Sequence, residues 1–235
     1  MFYIDWTYII LVLPAVIFSM WASMRVNGTF EKYSKQISSR RMTGAEAAER
    51  VLRANGVYGV QIERIAGKLS DHYDPKANVI RLSEGVYDGI STAAIGVAAH
   101  EAGHAVQHAQ NYAPVKIRTA IVPITNIGSK LSIPLILIGL FMSYLGPQYA
   151  FIAYAGVAAF GLCVLFQLVT LPTEFNASSR AIKAIEDCGI LSSSEIEGSK
   201  KVLSAAALTY VAALAVTLMQ FLRLFIMVSN INKRR

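Results

Sequence analysis

The segment Tyr149–Leu171, YAFIAYAGVAAFGLCVLFQLVTL, is 23 residues long and contains no charged side chain. A helix of about 20 apolar residues is long enough to cross the hydrocarbon core of a bilayer. Further apolar runs lie at Trp6–Ser23, Leu131–Leu145 and Ala205–Val228, and the Leu131 run is short unless its helix begins upstream near Ile117. We therefore predict a mainly α membrane protein with about four transmembrane helices.

The composition agrees with this class. Hydrophobic residues make up 54% of the chain, charged residues only 16%, and the mean hydropathy is +0.44, which is too apolar for an ordinary soluble domain. The Trp6–Ser23 run follows Asp5 rather than a basic segment and has no convincing cleavage site. We therefore expect it to be a retained membrane anchor rather than a removed signal peptide. Gly146-Pro147 predicts a tight turn and hence a helical hairpin. Cys163 and Cys188 have no metal-ligand spacing, and we expect no disulfide between them.

Basic residues account for the net charge of +7 and cluster beside the apolar runs. This clustering predicts that residues 25–130 are cytosolic. Four spans would place Lys233-Arg234-Arg235 outside the cell, which conflicts with this orientation. We give more weight to the larger basic cluster that follows the Trp6–Ser23 run. We expect no nucleic-acid binding, because no basic groove with interleaved aromatic residues is present. The basic residues near the first and second runs are Arg25, Lys32, Lys35, Arg40, Arg41, Lys116, Arg118 and Lys130.

His100-Glu101-Ala102-Gly103-His104 is a candidate zinc motif. Residues four apart lie on the same face of a helix, so both imidazoles can reach one Zn²⁺ ion. Glu101 lies beside them and can take a proton from metal-bound water, as in metallopeptidases with the H-E-x-x-H motif. The alternative is a helix whose histidines are merely satisfied by hydrogen bonds. We predict metal ligation by His100 and His104 and catalysis by Glu101.

The motif falls within a helix predicted from Thr92 to about Gln110, with Ser91 as its N-cap. This helix is apolar on nearly all sides, but its three histidines and Glu101 argue against exposure to lipid. Before it, the capping-box sequence Thr43–Glu46 predicts a short helix that ends near Asn55-Gly56.

A small β element is predicted between the two helices. Its strands are expected at 57–65 and 78–82, with a third possible at 67–69 and turn residues at 71–75. The 78–82 strand could pair with an extended substrate. Such an apolar strand is more often the core of a sheet.

A catalytic zinc usually has three protein ligands and one open position. His108 lies about 12 Å from His100 along a helix, whereas ligands of one tetrahedral ion are only about 3–4 Å apart. Glu174 is the better third ligand: it follows Pro172, where the third run ends, and is expected to open a polar helix. Its carboxylate could instead stabilise that helix start. His72, on a turn, is expected to have no role or to lie beside the substrate.

The predicted organisation has five parts. Residues 1–24 form an N-terminal transmembrane anchor, and residues 25–130 form a zincin-like α+β catalytic segment. Residues 131–171 form a transmembrane helical hairpin, and residues 172–204 carry the third zinc ligand. Residues 205–235 form a C-terminal transmembrane helix and basic tail.

Five sequence blocks stand out: Asp71–Pro75, Val79–Ser83, His100–His108, Leu171–Phe175 and Ala205–Ala212. Together they resemble the YugP-like bacterial membrane zinc metallopeptidases, over nearly the whole chain. The resemblance implies a membrane-embedded zinc peptidase with zinc at His100 and His104 and catalysis at Glu101, but implies no particular substrate. Only the H-E-x-x-H core is widely shared among metallopeptidases; the combination of blocks is more specific.

Similarity to related membrane zincins implies a downstream glutamate as third ligand, often followed four residues later by an aspartate. Here Ser178 occupies that position, and Asn176 stands where an acidic residue is expected. The group that orients a zinc-bound histidine could therefore be Asn176, Ser178 or a backbone carbonyl.

The leading functional hypothesis is peptide-bond hydrolysis by zinc-activated water in a bacterial, multi-pass cell-membrane protein, with the site facing the cytoplasm. The expected partners are the lipid bilayer and a peptide or protein substrate, with membrane proteins included among the expected substrates; no oligomeric state is predicted. One alternative is an intramembrane (site-2-type) protease, which would need a ligand, typically Asp, inside another span. The middle runs contain no Asp or Glu.

Two non-enzymatic alternatives are a zinc-binding membrane scaffold and a transporter. Structural zinc sites usually have four protein ligands, but the sequence offers three. A transporter would need polar groups among its spans, where Gln167 and Arg223 are the main ones. Packing between helices and snorkelling to the membrane surface would explain those two residues.

Overall fold

The computed structural model describes residues 5–68 and 70–230. The basic residues Lys233-Arg234-Arg235, on which part of the orientation argument depends, lie outside this range. The described chain forms two compact units. We call residues 5–21, 117–171 and 210–230 the apolar unit, and residues 22–68, 70–116 and 172–209 the mixed unit.

Long helices dominate the described chain. Four helical stretches are long and apolar enough to cross a membrane, namely Tyr8–Ser34, Ala113–Ser143, Pro147–Asp187 and Ser193–Ser229. The predicted fold class, a mainly α membrane protein, is confirmed. The α-helices are α1 (Leu13–Ser34), α2 (Gly44–Ala54), α3 (Glu84–Tyr87), α4 (Thr92–Ala109), α5 (Ala113–Ser143), α6 (Ala150–Asp187) and α7 (Ser193–Ser229).

The helix boundaries refine the sequence-based expectations. The second span begins at Ala113, so its short apolar run is only part of a longer helix. A 3-10 turn at Pro147–Tyr149 separates α5 from α6, as Gly146-Pro147 predicts. The five-part division stays a prediction, but all four of its boundaries fall inside helices: 24/25 in α1, 130/131 in α5, 171/172 in α6 and 204/205 in α7.

Glu174 does not open a new helix, and that expectation was wrong. Helix α6 continues through Pro172 to Asp187. Proline in a helix interior costs one backbone hydrogen bond without necessarily ending the helix, because the neighbouring bonds persist. Glu174 therefore lies in the helix interior, where the dipole of a helix start cannot account for its presence.

Two predicted caps begin the helices of the mixed unit. The Thr43 hydroxyl accepts from the Glu46 amide at 3.2 Å, and the Glu46 carboxylate accepts from the Thr43 amide at 2.8 Å, which forms the predicted capping box of α2. Ser91 caps α4 by accepting from the Ala94 amide at 3.2 Å. Both helices contribute apolar residues to one buried core, which also contains Ile80, Leu82, Ile185, Ile190 and Leu203.

A three-stranded sheet lies in the mixed unit. Its strands are β1 (Gln61–Ile65), β2 (His72–Asp74) and β3 (Val79–Ser83), in the order β1-β3-β2. The predicted turn at 71–75 was thus partly wrong, because it contains β2. Strand β1 starts later than predicted, and Gly67 and Lys68 are not in a strand; Leu69 lies outside the described residues.

Strand β3 is the centre of this sheet. It pairs in parallel with β1 and antiparallel with β2, so both of its edges are occupied. Four of its five residues are buried. Residues 79–82 of the predicted strand are therefore sheet core, and β3 cannot take a substrate as an added strand.

Close helix contacts in the apolar unit occur at small residues. A Cβ atom on Gly139 would lie 2.2 Å from the Ala153 amide nitrogen, and one on Gly156 would lie 2.7 Å from the Ser132 carbonyl oxygen. Small residues allow such approach between membrane helices, where dispersion forces replace the hydrophobic effect as the source of attraction. Helices α5 and α6 pack in this way.

Arg223 in α7 does not snorkel to a surface. Only 5% of the residue is exposed. Its Nε lies 3.3 Å from the Asp5 carboxylate, and its guanidinium lies 5.2 Å from the centre of the Tyr8 ring. The charge of Arg223 is therefore balanced within the apolar unit.

Candidate metal centre

Three side chains of the mixed unit converge on one point. The Nε2 atoms of His100 and His104 are 3.1 Å apart, and the Glu174 Oε2 atom lies 3.3 Å from the first and 3.2 Å from the second. Zinc binds nitrogen and oxygen at about 2.0–2.1 Å, and in a tetrahedral site this places neighbouring ligand atoms about 3.3–3.4 Å apart. The observed triangle closely matches that geometry, and the group could hold a metal ion.

A close approach of two helices brings these ligands together. Helix α4 carries His100 and His104 on one face, and α6 carries Glu174. A Cβ atom on Gly103 would lie 2.8 Å from the backbone carbonyl oxygen of Ala177, so only glycine fits at this contact without a shift of α4 or α6. This role of the glycine between the two histidines was not predicted from the sequence.

The electrostatics of the site favour a positive charge at the point of convergence. Glu174 is only 3% exposed, and its carboxylate faces both imidazoles. Burial by itself would lower the pKa of His104, but the hydrogen bond with Glu174 and the charges of Glu101 and Glu174 raise this pKa above its usual value. A proton or a metal cation would satisfy the same carboxylate.

Each imidazole also has a partner on its other nitrogen. Ser178 Oγ lies 3.1 Å from His100 Nδ1, and Gln107 Oε1 lies 3.0 Å from His104 Nδ1. Asn176, Ser178 and a backbone carbonyl were the three groups predicted for this role. Ser178 contacts His100 directly, whereas Asn176 contacts Gln107, a residue that was not predicted from the sequence. The available signal was the position of Gln107, three residues after His104 on the same helix.

The remaining candidate residues lie apart from the triangle or beside it. The His108 ring packs against the edge of Tyr73, with ring centres 5.9 Å apart, and it is outside the three-residue group found among the described residues. His72 is exposed on β2, where its Nδ1 lies 2.8 Å from the Ser70 carbonyl oxygen. Glu101 follows His100 on α4 and is 8% exposed. Its role as a base stays a prediction.

These features define a mainly α membrane protein with a candidate metal centre, formed by the two histidines of an H-E-x-x-H helix and by a glutamate of a second helix. A family model described as "Putative neutral zinc metallopeptidase" matches residues 8–229, and the chain belongs to this family. The Bacillus subtilis protein named "Putative membrane protease YugP" is 47% identical over 221 residues, which cover 94% of this chain and 96% of that relative. The resemblance inferred from the sequence blocks is thereby confirmed. No solved structure matches the chain.

Proposed function

We propose that the protein is a zinc-dependent endopeptidase, with His100, His104 and Glu174 as zinc ligands and Glu101 as general base. The observation that carries this proposal is the convergence of the three ligand atoms within 3.1–3.3 Å of one another. Two histidines and a carboxylate are the protein ligands of one class of catalytic zinc sites, in which a water molecule takes the fourth position. Family membership supports zinc as the metal.

The chain's residues divide the chemistry between them. Bound zinc would activate water and polarise the scissile carbonyl group. Glu101 would accept the proton of the attacking water and later deliver it to the leaving amine. Glu174 would hold its ionised oxygen against the metal, and burial of its carboxylate would keep competing water away from that bond.

Chain connectivity favours cleavage of a peptide bond that lies close to the bilayer. The apolar run ends at Leu171, and Glu174 follows three residues later. Three residues can extend over no more than about 11 Å, so a ligand at Glu174 must lie near the end of that run. We therefore propose that the enzyme cuts peptides or membrane-protein segments at the cytosolic surface of a bacterial cell membrane, as a multi-pass protein.

Two alternatives receive less support. In an intramembrane protease the zinc helix itself would be a span, but α4 is not among the four candidate spans of the described chain. Its apolar residues instead belong to the buried core of the mixed unit. A structural zinc site would usually have four protein ligands, whereas the group found among the described residues has three.

The test uses full-length protein purified in detergent, with metal analysis and a casein or peptide-library cleavage assay. We expect wild-type protein to bind one zinc ion and to cleave. Glu101→Gln should keep the zinc and lose cleavage, and His100→Ala should lose both. Glu195→Gln is a matched control, because Glu195 is an equally buried glutamate of the mixed unit that caps α7. Full activity of Glu101→Gln would disprove the mechanism.

A further inference from the structure

We propose that Gln107 is a positioning residue that holds His104 in the metal-binding tautomer and connects it to the segment of α6 that carries Glu174. The inference rests on the proposed metal centre. Gln107 lies on α4 and is completely buried, with 0% exposure. Burying an amide is costly unless its polar atoms are paired, so the partners of this side chain are informative.

The partners determine which way the amide points. Gln107 Nε2 lies 2.8 Å from the backbone carbonyl oxygen of Thr173, which can only accept a hydrogen bond. The nitrogen and oxygen ends of the side chain are therefore distinguishable. The Oε1 atom must be the one that faces His104 Nδ1, at 3.0 Å.

An amide oxygen can only accept, so His104 Nδ1 must donate to it. In a neutral imidazole with a proton on Nδ1, the lone pair lies on Nε2. That nitrogen is the one that faces Glu174 Oε2 and His100 Nε2. Gln107 thus selects the tautomer of His104 that can bind a metal at the point of convergence.

The second N–H of Gln107 extends the connection along α6. Gln107 Nε2 donates to Asn176 Oδ1 at 2.9 Å, and the Arg180 Nε, an obligate donor, reaches the same oxygen at 2.7 Å. Arg180 also donates to Gln110 Oε1 at 2.6 Å, which returns the chain of hydrogen bonds to the end of α4. Three hydrogen bonds of this network therefore join the α4 segment to α6.

The position of these contacts separates a metal-site role from ordinary core packing. Thr173 and Asn176 lie one residue before and two residues after Glu174, so a shift of Gln107 would move one ligand directly and the other through its flanking residues. The acceptor in such sites is usually a carboxylate, a backbone carbonyl or water. Here a neutral amide serves His104, and the neutral hydroxyl of Ser178 lies against His100.

The experiment compares zinc affinity in full-length detergent-purified variants by competition with a chelator. Gln107→Leu removes all the hydrogen bonds of this side chain, and we expect a loss of about 10- to 100-fold in zinc affinity. The visible spectrum of the cobalt-substituted protein should change as well, because it reports the ligand geometry. Asn176→Asp keeps an acceptor oxygen for Gln107 and Arg180, so wild-type affinity and spectrum are expected.

Val106→Ala is the matched control, because Val106 is the neighbouring α4 residue and belongs to the hydrophobic core. We expect a lower melting temperature of the metal-free protein with zinc affinity unchanged. A purely structural Gln107 would behave in the same way. If Gln107→Leu does not fold, Asn176→Leu replaces it, with a smaller loss of affinity expected in the same direction.

The outcomes distinguish this inference from the proposed function. Absence of zinc binding by wild-type protein would overturn the metal centre itself. Zinc binding by the wild type, with equal affinity and an identical cobalt spectrum in Gln107→Leu or in its replacement, would overturn the role of Gln107 alone.

Discussion

Close packing of helices has a different role in each of the two units of the molecule. In the apolar unit, Gly139 and Gly156 let α5 and α6 approach, and the nearby core consists of apolar side chains. In the mixed unit, Gly103 lets α4 approach α6, and two histidines, a glutamate and a buried amide meet beside that contact. The same device therefore provides packing in one unit and positions a candidate metal centre in the other.

Buried glutamates within the mixed unit sharpen this difference. Glu195 accepts from the backbone amides of Ser39 and Ser192 at 2.6 and 2.8 Å, so its charge stabilises the local chain. Glu174 is buried more deeply, at 3% exposure against 8% for Glu195, and it faces His100 and His104. Burial of a carboxylate alone is thus no evidence of a metal site, whereas the identity of its partners is.

Glu174→Ala should have the largest effect. We expect zinc affinity to fall by more than the roughly 10- to 100-fold expected when a residue that only orients a zinc ligand is removed, because Glu174 is itself a proposed ligand. Glu195→Ala should retain zinc and show a lower melting temperature. Metal analysis and thermal unfolding of both variants check this. Unchanged zinc content in Glu174→Ala would remove Glu174 from the ligand set and reopen the case for His108.

Gly103→Ala and Gly139→Ala test the role of close packing in each unit. Both add a methyl group against backbone, and overpacking of this kind typically costs about 1–3 kcal/mol. We expect lower thermal stability in both variants but weaker zinc binding only in Gly103→Ala. Equal zinc affinities would show that α4 and α6 can separate slightly without disturbing the site.

Ser178→Ala should have a smaller effect than Gln107→Leu. Ser178 contacts His100 through one hydroxyl, whereas Gln107 has three partners on two helices. Removal of a residue that orients a zinc ligand typically lowers zinc affinity by roughly 10- to 100-fold, and we expect a fall near the low end of this range. Chelator competition measures it, and a larger loss than in Gln107→Leu would reverse the proposed ranking of the two histidine partners.

A substitution on the surface of the mixed unit should have the smallest effect. The hydrogen bond from Arg81, with those from the Ala77 and Lys76 amides, lowers the pKa of Asp74 below its usual value. The stability due to this ionised carboxylate is present above the unfolded-state pKa of about 3.9 and is lost as pH falls through the lower folded-state pKa. Asp74→Asn should slightly lower the melting temperature at neutral pH, with the difference shrinking below about pH 4. A constant difference from pH 7 to pH 3 would contradict this assignment.

Local sequence patterns determined much of this protein. Long uncharged runs predict spans, because a bilayer demands about 20 apolar residues whatever lies elsewhere in the chain. The Thr43 and Ser91 caps and the shared face of His100 and His104 also follow from spacings of three or four residues, which helix geometry relates directly. These features needed no knowledge of distant contacts.

Strand β2 and the continuity of α6 were missed, because local turn residues and a proline were outweighed by the surrounding structure. Strand β2 exists through its pairing with β3, and α6 persists through Pro172. Sequence signals for strands and breakers are averages over many environments, and tertiary contacts regularly override them.

The assembly of the candidate site depended on contacts between distant segments. The motif and Glu174 are about 70 residues apart, and the spacing rules of one helix contain no information about which residue of another helix it will face. Sequence chemistry made Glu174 a candidate, but only the contact of α4 with α6 at Gly103 places its oxygen beside both imidazoles. The same contact buries Gln107 against Thr173 and Asn176, and so turns an ordinary helix residue into a partner of His104.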